Sequence, residues 1–200
     1  MDVSRQHSIR MTAVLLAVLA ATQILYTALY IAKVEIPRQT IWGLEGVLFA
    51  LLAAFAGAAM LQSRRWQLAW AAIAASAVLN VVQVGVGVTL FVPFREAAQE
   101  LEAVGPLATA VVAFSFFVYN AAKLLLGMAA WLVGRAVRNQ GDTVLGTLSL
   151  IIGIAAMGAN AALMIVGREG WMPSPVAGAS GVLATFLLAL CLWRHSVESD

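Results

Sequence analysis

The chain has 200 residues, of which 62% are hydrophobic and 11% charged, with a formal net charge of +2. Soluble domains average roughly 45–50% apolar and about 25% charged residues. Ten acids and twelve bases cannot cover the surface of a compact domain of this size, and the mean hydropathy is +0.90. These values exclude an ordinary soluble domain, a disordered chain and a nucleic-acid binder, and leave a membrane protein.

A spanning helix needs about 20 mostly apolar residues, since the hydrocarbon slab is about 30 Å thick and each residue rises about 1.5 Å. Six stretches qualify. The first, Met11–Ala32, follows Arg5 and Arg10. Val18-Leu19-Ala20 resembles a signal-peptidase site, but signal apolar regions run only about 7–15 residues. An uncleaved helix is therefore expected. Lys33–Thr40, with Pro37, separates it from Ile41–Leu61. Gln62–Gln67, with Arg64 and Arg65, leads to Leu68–Phe91. Pro93–Pro106 is the most polar connector. Within it Ala97, Leu101 and Val104 recur at helical steps among Arg95, Glu96, Glu100 and Glu102. Pro93 before and Gly105-Pro106 after act as start and stop signals. A short amphipathic outer helix is expected there, either a lid or docking site or, more simply, a solvated connector. Leu107–Val133, Val144–Val166 and Val176–Trp193 complete the set, separated by Gly134–Thr143 and Gly167–Pro175. The expected fold is an all-α membrane protein, a six-helix bundle forming one domain over residues 1–200.

Basic residues in short loops set orientation. With the N-terminus inside, the inner segments hold Arg5, Arg10, Arg64, Arg65, Arg135, Arg138 and Arg194, and the outer ones Lys33, Arg38, Arg95 and Arg168. Both termini are expected on the cytoplasmic face of a bacterial inner membrane. Small residues let helices approach closely. Ala50, Ala54 and Ala58 with Ala53 and Gly57, then Ala72 and Ser76, Gly158 and Ala162, and Ala177 and Gly181 offer such faces. Packing within the bundle is the simpler reading; a homo-oligomer or a membrane partner is the other. Trp42, Trp66, Trp70, Trp171 and Trp193 fall near span ends, as interfacial anchors do.

Polar groups in hydrocarbon are costly and ask for an explanation. Lys123 lies near the middle of the fourth span, with Asn120, Tyr119 and Ser115 on the same face. Glu45 lies about one turn below the outer surface. Gln23 and Tyr26 share a face of the first span with Tyr30, Asn80 and Gln83 share one of the third, and Asn160 is in the fifth. Counting about 1.5 Å per residue, Lys123 and Glu45 differ in depth by roughly 13 Å. A water or bound anion is the expected link between them. The leading expectation is an outward-facing polar cavity around Lys123 that binds or conducts a small polar or anionic solute. Taken singly, Asn80, Asn160 and Gln23 are more simply interhelical glue. The alternative is a non-catalytic subunit or assembly protein of a membrane complex, in which all these groups are glue.

Both histidines, His7 and His195, lie in the tails, no span contains Asp, and Cys191 is the single cysteine. Intramembrane haem ligation by paired histidines, an internal disulfide and an intramembrane serine–histidine pair are thereby excluded, and a usual zinc site nearly so. Gly85-x-Gly87 sits inside an apolar helix and is no nucleotide fingerprint. No cofactor, metal or catalytic residue is expected, and enzyme function is the least supported class.

Overall fold

The computed structural model describes residues 4–34, 38–167 and 170–196. Six helices, all long and apolar enough to cross a membrane, make up the fold, and no strand occurs among the described residues. They are α1 (Arg5–Ile31), α2 (Arg38–Gln62), α3 (Gln67–Glu100), α4 (Gly105–Asn139), α5 (Thr143–Val166) and α6 (Ser174–Ser196). A helix satisfies its own backbone groups, which is what hydrocarbon demands of any spanning segment. Alternating direction brings the start of α1 and the end of α6 to one end, called here the terminal end. The α1–α2, α3–α4 and α5–α6 connections mark the distal end.

The ends are built by local chemistry. Ser4 caps α1 by accepting from the His7 amide at 3.2 Å. Asp142 caps α5 by accepting from the Leu145 amide, and its other oxygen pairs with Arg194 at 2.9 Å. That pair ties the start of α5 to the end of α6. Gly141 turns the chain between α4 and α5 at φ +107, a conformation that favours glycine. Glu35, Pro37, Arg168 and Glu169, expected in the distal connectors, lie outside the described residues.

The outer connector departs from expectation. No separate amphipathic helix forms between the third and fourth spans. Instead α3 runs through Pro93 without stopping and ends at Glu100. Leu101 is extended, and a single 3-10 turn, Glu102–Val104, leads into α4. Proline removes one backbone donor and crowds the preceding turn. The residues after it, Arg95, Glu96, Ala97, Ala98, Gln99 and Glu100, include strong helix formers that carry the helix onward. At 34 and 35 residues α3 and α4 are each about 50 Å long, well beyond the hydrocarbon slab.

Packing follows a ring. Helix α1 touches α2 and α6, α2 touches α3, α3 touches α4, and α4 touches α6. Helix α5 lies outside this ring against α4 and α6. Toward the terminal end the ring is filled by Leu16 and Leu19 of α1, Leu52 of α2, Ile73 of α3, Leu126 and Val133 of α4 and Leu188 of α6. Toward the distal end α1 loses its cover, and its last buried residue is Ala20.

The closest helix contact is α4 on α5, built from glycines seven residues apart on each helix. A Cβ at Gly127 would meet the Gly153 carbonyl oxygen at 2.8 Å, and one at Gly134 the Leu150 amide nitrogen at 2.7 Å. A Cβ at Gly153 would meet the Trp131 amide nitrogen at 2.6 Å. Backbone surfaces therefore touch directly, and Ser149 donates across them to the Ala130 carbonyl at 3.0 Å.

Two packing expectations are corrected. On α2, Ala50 and Ala54 are exposed and Gly57 has open space beside it, because the buried face follows Glu45, Phe49, Leu52, Ala56 and Ala59 instead. A strict step of four drifts off a packed stripe, since the helix repeats at 3.6 residues. Gly158 is likewise exposed. Trp70, expected at the interface, is 1% exposed and part of the core.

Gly153→Ala should destabilise the bundle by at least the upper end of the roughly 1–3 kcal/mol typical of overpacking, because the obstacles are backbone atoms. Gly158→Ala should be near neutral. Thermal unfolding of both variants in detergent reads the difference.

Candidate functional site

Lys123 is fully buried among α4, α6 and α1. Its stem lies against Gly181 of α6, where a Cβ would meet the lysine Cδ at 2.9 Å. Only a glycine there leaves room for the stem to pass. Side chains on a helix lean toward its N-terminus, so Lys123 reaches back toward the distal end. Its ammonium donates to Gln23 Oε1 of α1 at 2.6 Å and sits 5.3 Å from the centre of the Tyr119 ring. Such a short bond is typical of a charged donor, and the ring face adds cation–π attraction.

Glu45 of α2 is 7% exposed and contacts the neighbouring residue of α1: the Thr22 hydroxyl lies 2.7 Å from Oε1. Glu45 and Lys123 therefore do not touch. Each binds one of two consecutive α1 residues, while remaining within electrostatic reach of the other. The depth count expected a water or an anion as the link. The link seen among the described residues runs through the α1 backbone between Thr22 and Gln23.

The other expected residues divide. Tyr119 and Tyr26 lie within electrostatic reach of Glu45. Gln83 donates to Ser115 at 3.4 Å and so joins α3 to α4. Asn80 is fully buried and donates to Ser76 O at 3.0 Å, and its Oδ1 has no partner among the described residues. Asn120 is 4% exposed, with no hydrogen-bond partner among the described residues. Asn160 stands apart. It donates to Ala156 O at 2.8 Å and Ala177 O at 3.3 Å, a bridge from α5 to α6 away from the ring. It fits the role of glue.

A cavity of about 920 Å³ opens at the distal end between α2, α3 and α4. Its walls carry Arg38 of α2 and Arg95 of α3, and its lining includes Trp42, Gly87 and Phe91. Trp42 meets Phe91 edge-on at 5.8 Å and is backed by Tyr26 at 5.8 Å. Gly87 gives the Trp42 ring its place, since a Cβ there would come within 3.0 Å of it. Among the described residues no carboxylate lines this cavity. Lys123 is not in the lining. Its α-carbon lies about 16 Å down α4 from Val112, the deepest α4 residue of the wall. None of the residues expected around the polar cavity lines this one, which carries two arginines instead, and Lys123 with its partners forms a separate cluster.

The residues missed from sequence are Thr22, Arg38, Trp42, Phe91 and Arg95. Threonine in an apolar helix carries no signal of its own, because it commonly bonds the preceding turn. The arginines looked like topology markers and Trp42 like an anchor. Their convergence on one cavity depends on helix rotation, which composition does not report.

Gly181→Val should cost about 1–3 kcal/mol by pushing on the Lys123 stem. In a Lys123→Ala background the same change should cost clearly less. Unfolding midpoints of the four proteins test this. Compared with protein-family models, with curated proteins and with solved structures, the chain matches none.

Proposed function

We propose that the chain is a multipass membrane protein that binds or transports a small polar or anionic solute, using the distal cavity as its entrance and Lys123 as its inner anchor. One observation carries this reading. A fully buried lysine ammonium is held by a neutral amide, and no carboxylate among the described residues lies within ion-pair distance of it. Ionisable groups at such depth are expensive, and they typically mark solute or ion pathways. Two arginines at the entrance favour negative charge in the same way. Asn80 Oδ1 and the Asn120 side chain are the further polar groups that a solute or its water would satisfy.

The orientation follows from charge. Arg5, Arg10, Arg64, Arg65, Arg135, Arg138 and Arg194 are exposed at the terminal end, against Lys33, Arg38 and Arg95 at the distal end. We place the terminal end in the cytoplasm of a bacterial cell and the distal cavity outside. Single cysteines introduced at positions 103 and 140 in a Cys191→Ser background test this. An impermeant thiol reagent added to whole cells should label position 103 and spare position 140. The reverse pattern contradicts the placement.

A second reading has an observation of its own. The small-residue stripe of α2, exposed Ala50 and Ala54 with half-buried Gly57, suits a partner helix, as in a subunit or assembly protein of a membrane complex. Lys123 would then be structural.

A thermal-shift panel of phosphate, sulfate and small carboxylates separates the two. A ligand at 100 times its Kd stabilises by about 2.7 kcal/mol. At least one member should stabilise the wild-type protein and fail to stabilise a folded Lys123→Met variant. Stabilisation of neither protein, or of both equally, contradicts the solute reading.

A further inference from the structure

The contact between Thr22 and Glu45 carries a proton count. Thr22 Oγ1 lies 3.0 Å from the Leu19 carbonyl oxygen and 2.7 Å from Glu45 Oε1. A hydroxyl has one hydrogen to give. A helical threonine commonly gives it to the carbonyl three or four residues back. The hydrogen in the 2.7 Å contact then belongs to Glu45, as a carboxylic acid donating to the Thr22 oxygen. In the other arrangement the hydroxyl turns to an ionised carboxylate and leaves the Leu19 carbonyl. The two arrangements differ by one proton on Glu45 and one rotation of the Thr22 hydroxyl.

The surroundings poise Glu45 between them. From α1 it faces Thr22 and Tyr26. From α4 it is within reach of Tyr119 and Lys123. Helix α3 meets the neighbouring α2 residues Gly46 and Trp42 with Val84 and Gly87, and contributes no ionisable group there among the described residues. The Lys123 ammonium is engaged by Gln23. A carboxylate here would have one neutral donor and no touching cation, which is costly in a poorly solvated place. The field of Lys123 pulls in the opposite direction.

We propose that Glu45 is a reversible proton-binding site whose proton sets the charge of the buried cluster. With Glu45 ionised the Lys123–Glu45 pair is neutral; with Glu45 protonated it is +1. The consequence for the solute rests on the reading given under Proposed function. A monovalent anion that binds near Lys123 replaces the Glu45 charge, and Glu45 takes a proton from a hydronium ion: one hydronium O–H bond breaks, the carboxyl O–H bond forms, and a water is released. The site stays neutral, and nothing is oxidised or reduced. Anion and proton therefore favour each other's binding, and the solute would be an acid anion carried with one proton.

Infrared difference spectroscopy on the full chain in lipid nanodiscs tests the proton site without any solute. Subtraction of the Glu45→Gln spectrum isolates the Glu45 carboxylic C=O stretch. Glutamine can still donate to Thr22, so the variant keeps the contact. The band should be present in wild type and fade as pH rises. In Lys123→Met its midpoint should lie higher, because the cation that favours the carboxylate is gone. Absence of the band at every pH between about 5 and 9 overturns the proposal, since an ordinary glutamate has shed its proton over most of that range. Equal midpoints in the two proteins overturn the link to Lys123. Failure of the anion panel to bind contradicts the solute reading alone and leaves this spectrum decisive for the proton.

Discussion

One buried ammonium group in a bundle of six apolar helices is the constraint on which the rest of the arrangement depends. Placing a lysine at the centre of a membrane costs about 2.5–3.5 kcal/mol even on the mildest scales. The bundle meets that cost with position rather than with a paired carboxylate. Gly181 gives the stem a path, Tyr119 offers a ring face, and Gln23 accepts at 2.6 Å. Three helices are therefore bound to one side chain, and their rotations follow from it. Turning α1 to keep Gln23 on Lys123 also sets Thr22 on Glu45, since the two residues are consecutive. Helix α2 is registered against α1 by the same step.

The rest of the bundle divides around that layer. Below it, large aliphatic residues fill the ring and the α4–α5 glycines bring two backbones into contact. Lipid is as apolar as leucine, so such close packing, and not burial from water, holds the helices together. Above it, the helices separate. Helix α1 is largely uncovered, and α3 and α4 run on past the slab. The gap between them and α2 is the cavity. A tight half and an open half on one axis give the bundle a direction, and the proposed solute site would lie at their junction.

Much of the architecture was legible in the sequence because hydropathy reports it directly. The six helices stand where the apolar runs stand, extended by a few residues where Arg5, Arg38 and Asn139 continue a helix into polar surroundings. The outer connector was misjudged because Pro93 resembled the start of a separate helix, whereas the alanines and charged residues after it favour helix more than one lost hydrogen bond opposes it, so α3 runs on. The buried polar residues were also visible, since each one is an anomaly in an apolar run. Their partners were not. Whether Lys123 meets Gln23 or Glu45 depends on helix rotation and side-chain reach, and a depth count along ideal axes supplies neither. Arg38, Arg95 and Trp42 were seen only as topology markers and an anchor, because only the fold gathers them around one space.

The central claim is that the Lys123–Gln23 bond organises the distal half of the bundle, and a double-mutant cycle measures it directly. Unfolding free energies of the wild type, Lys123→Met, Gln23→Leu and the double variant, taken in one lipid mixture, give the coupling energy. Interhelical hydrogen bonds in membranes average about 0.6 kcal/mol by this method, with a maximum near 1.7. A charged donor held at 2.6 Å should couple at or above about 1.5 kcal/mol. A coupling near zero would contradict the claim, because Lys123 would then be buried for reasons unrelated to Gln23.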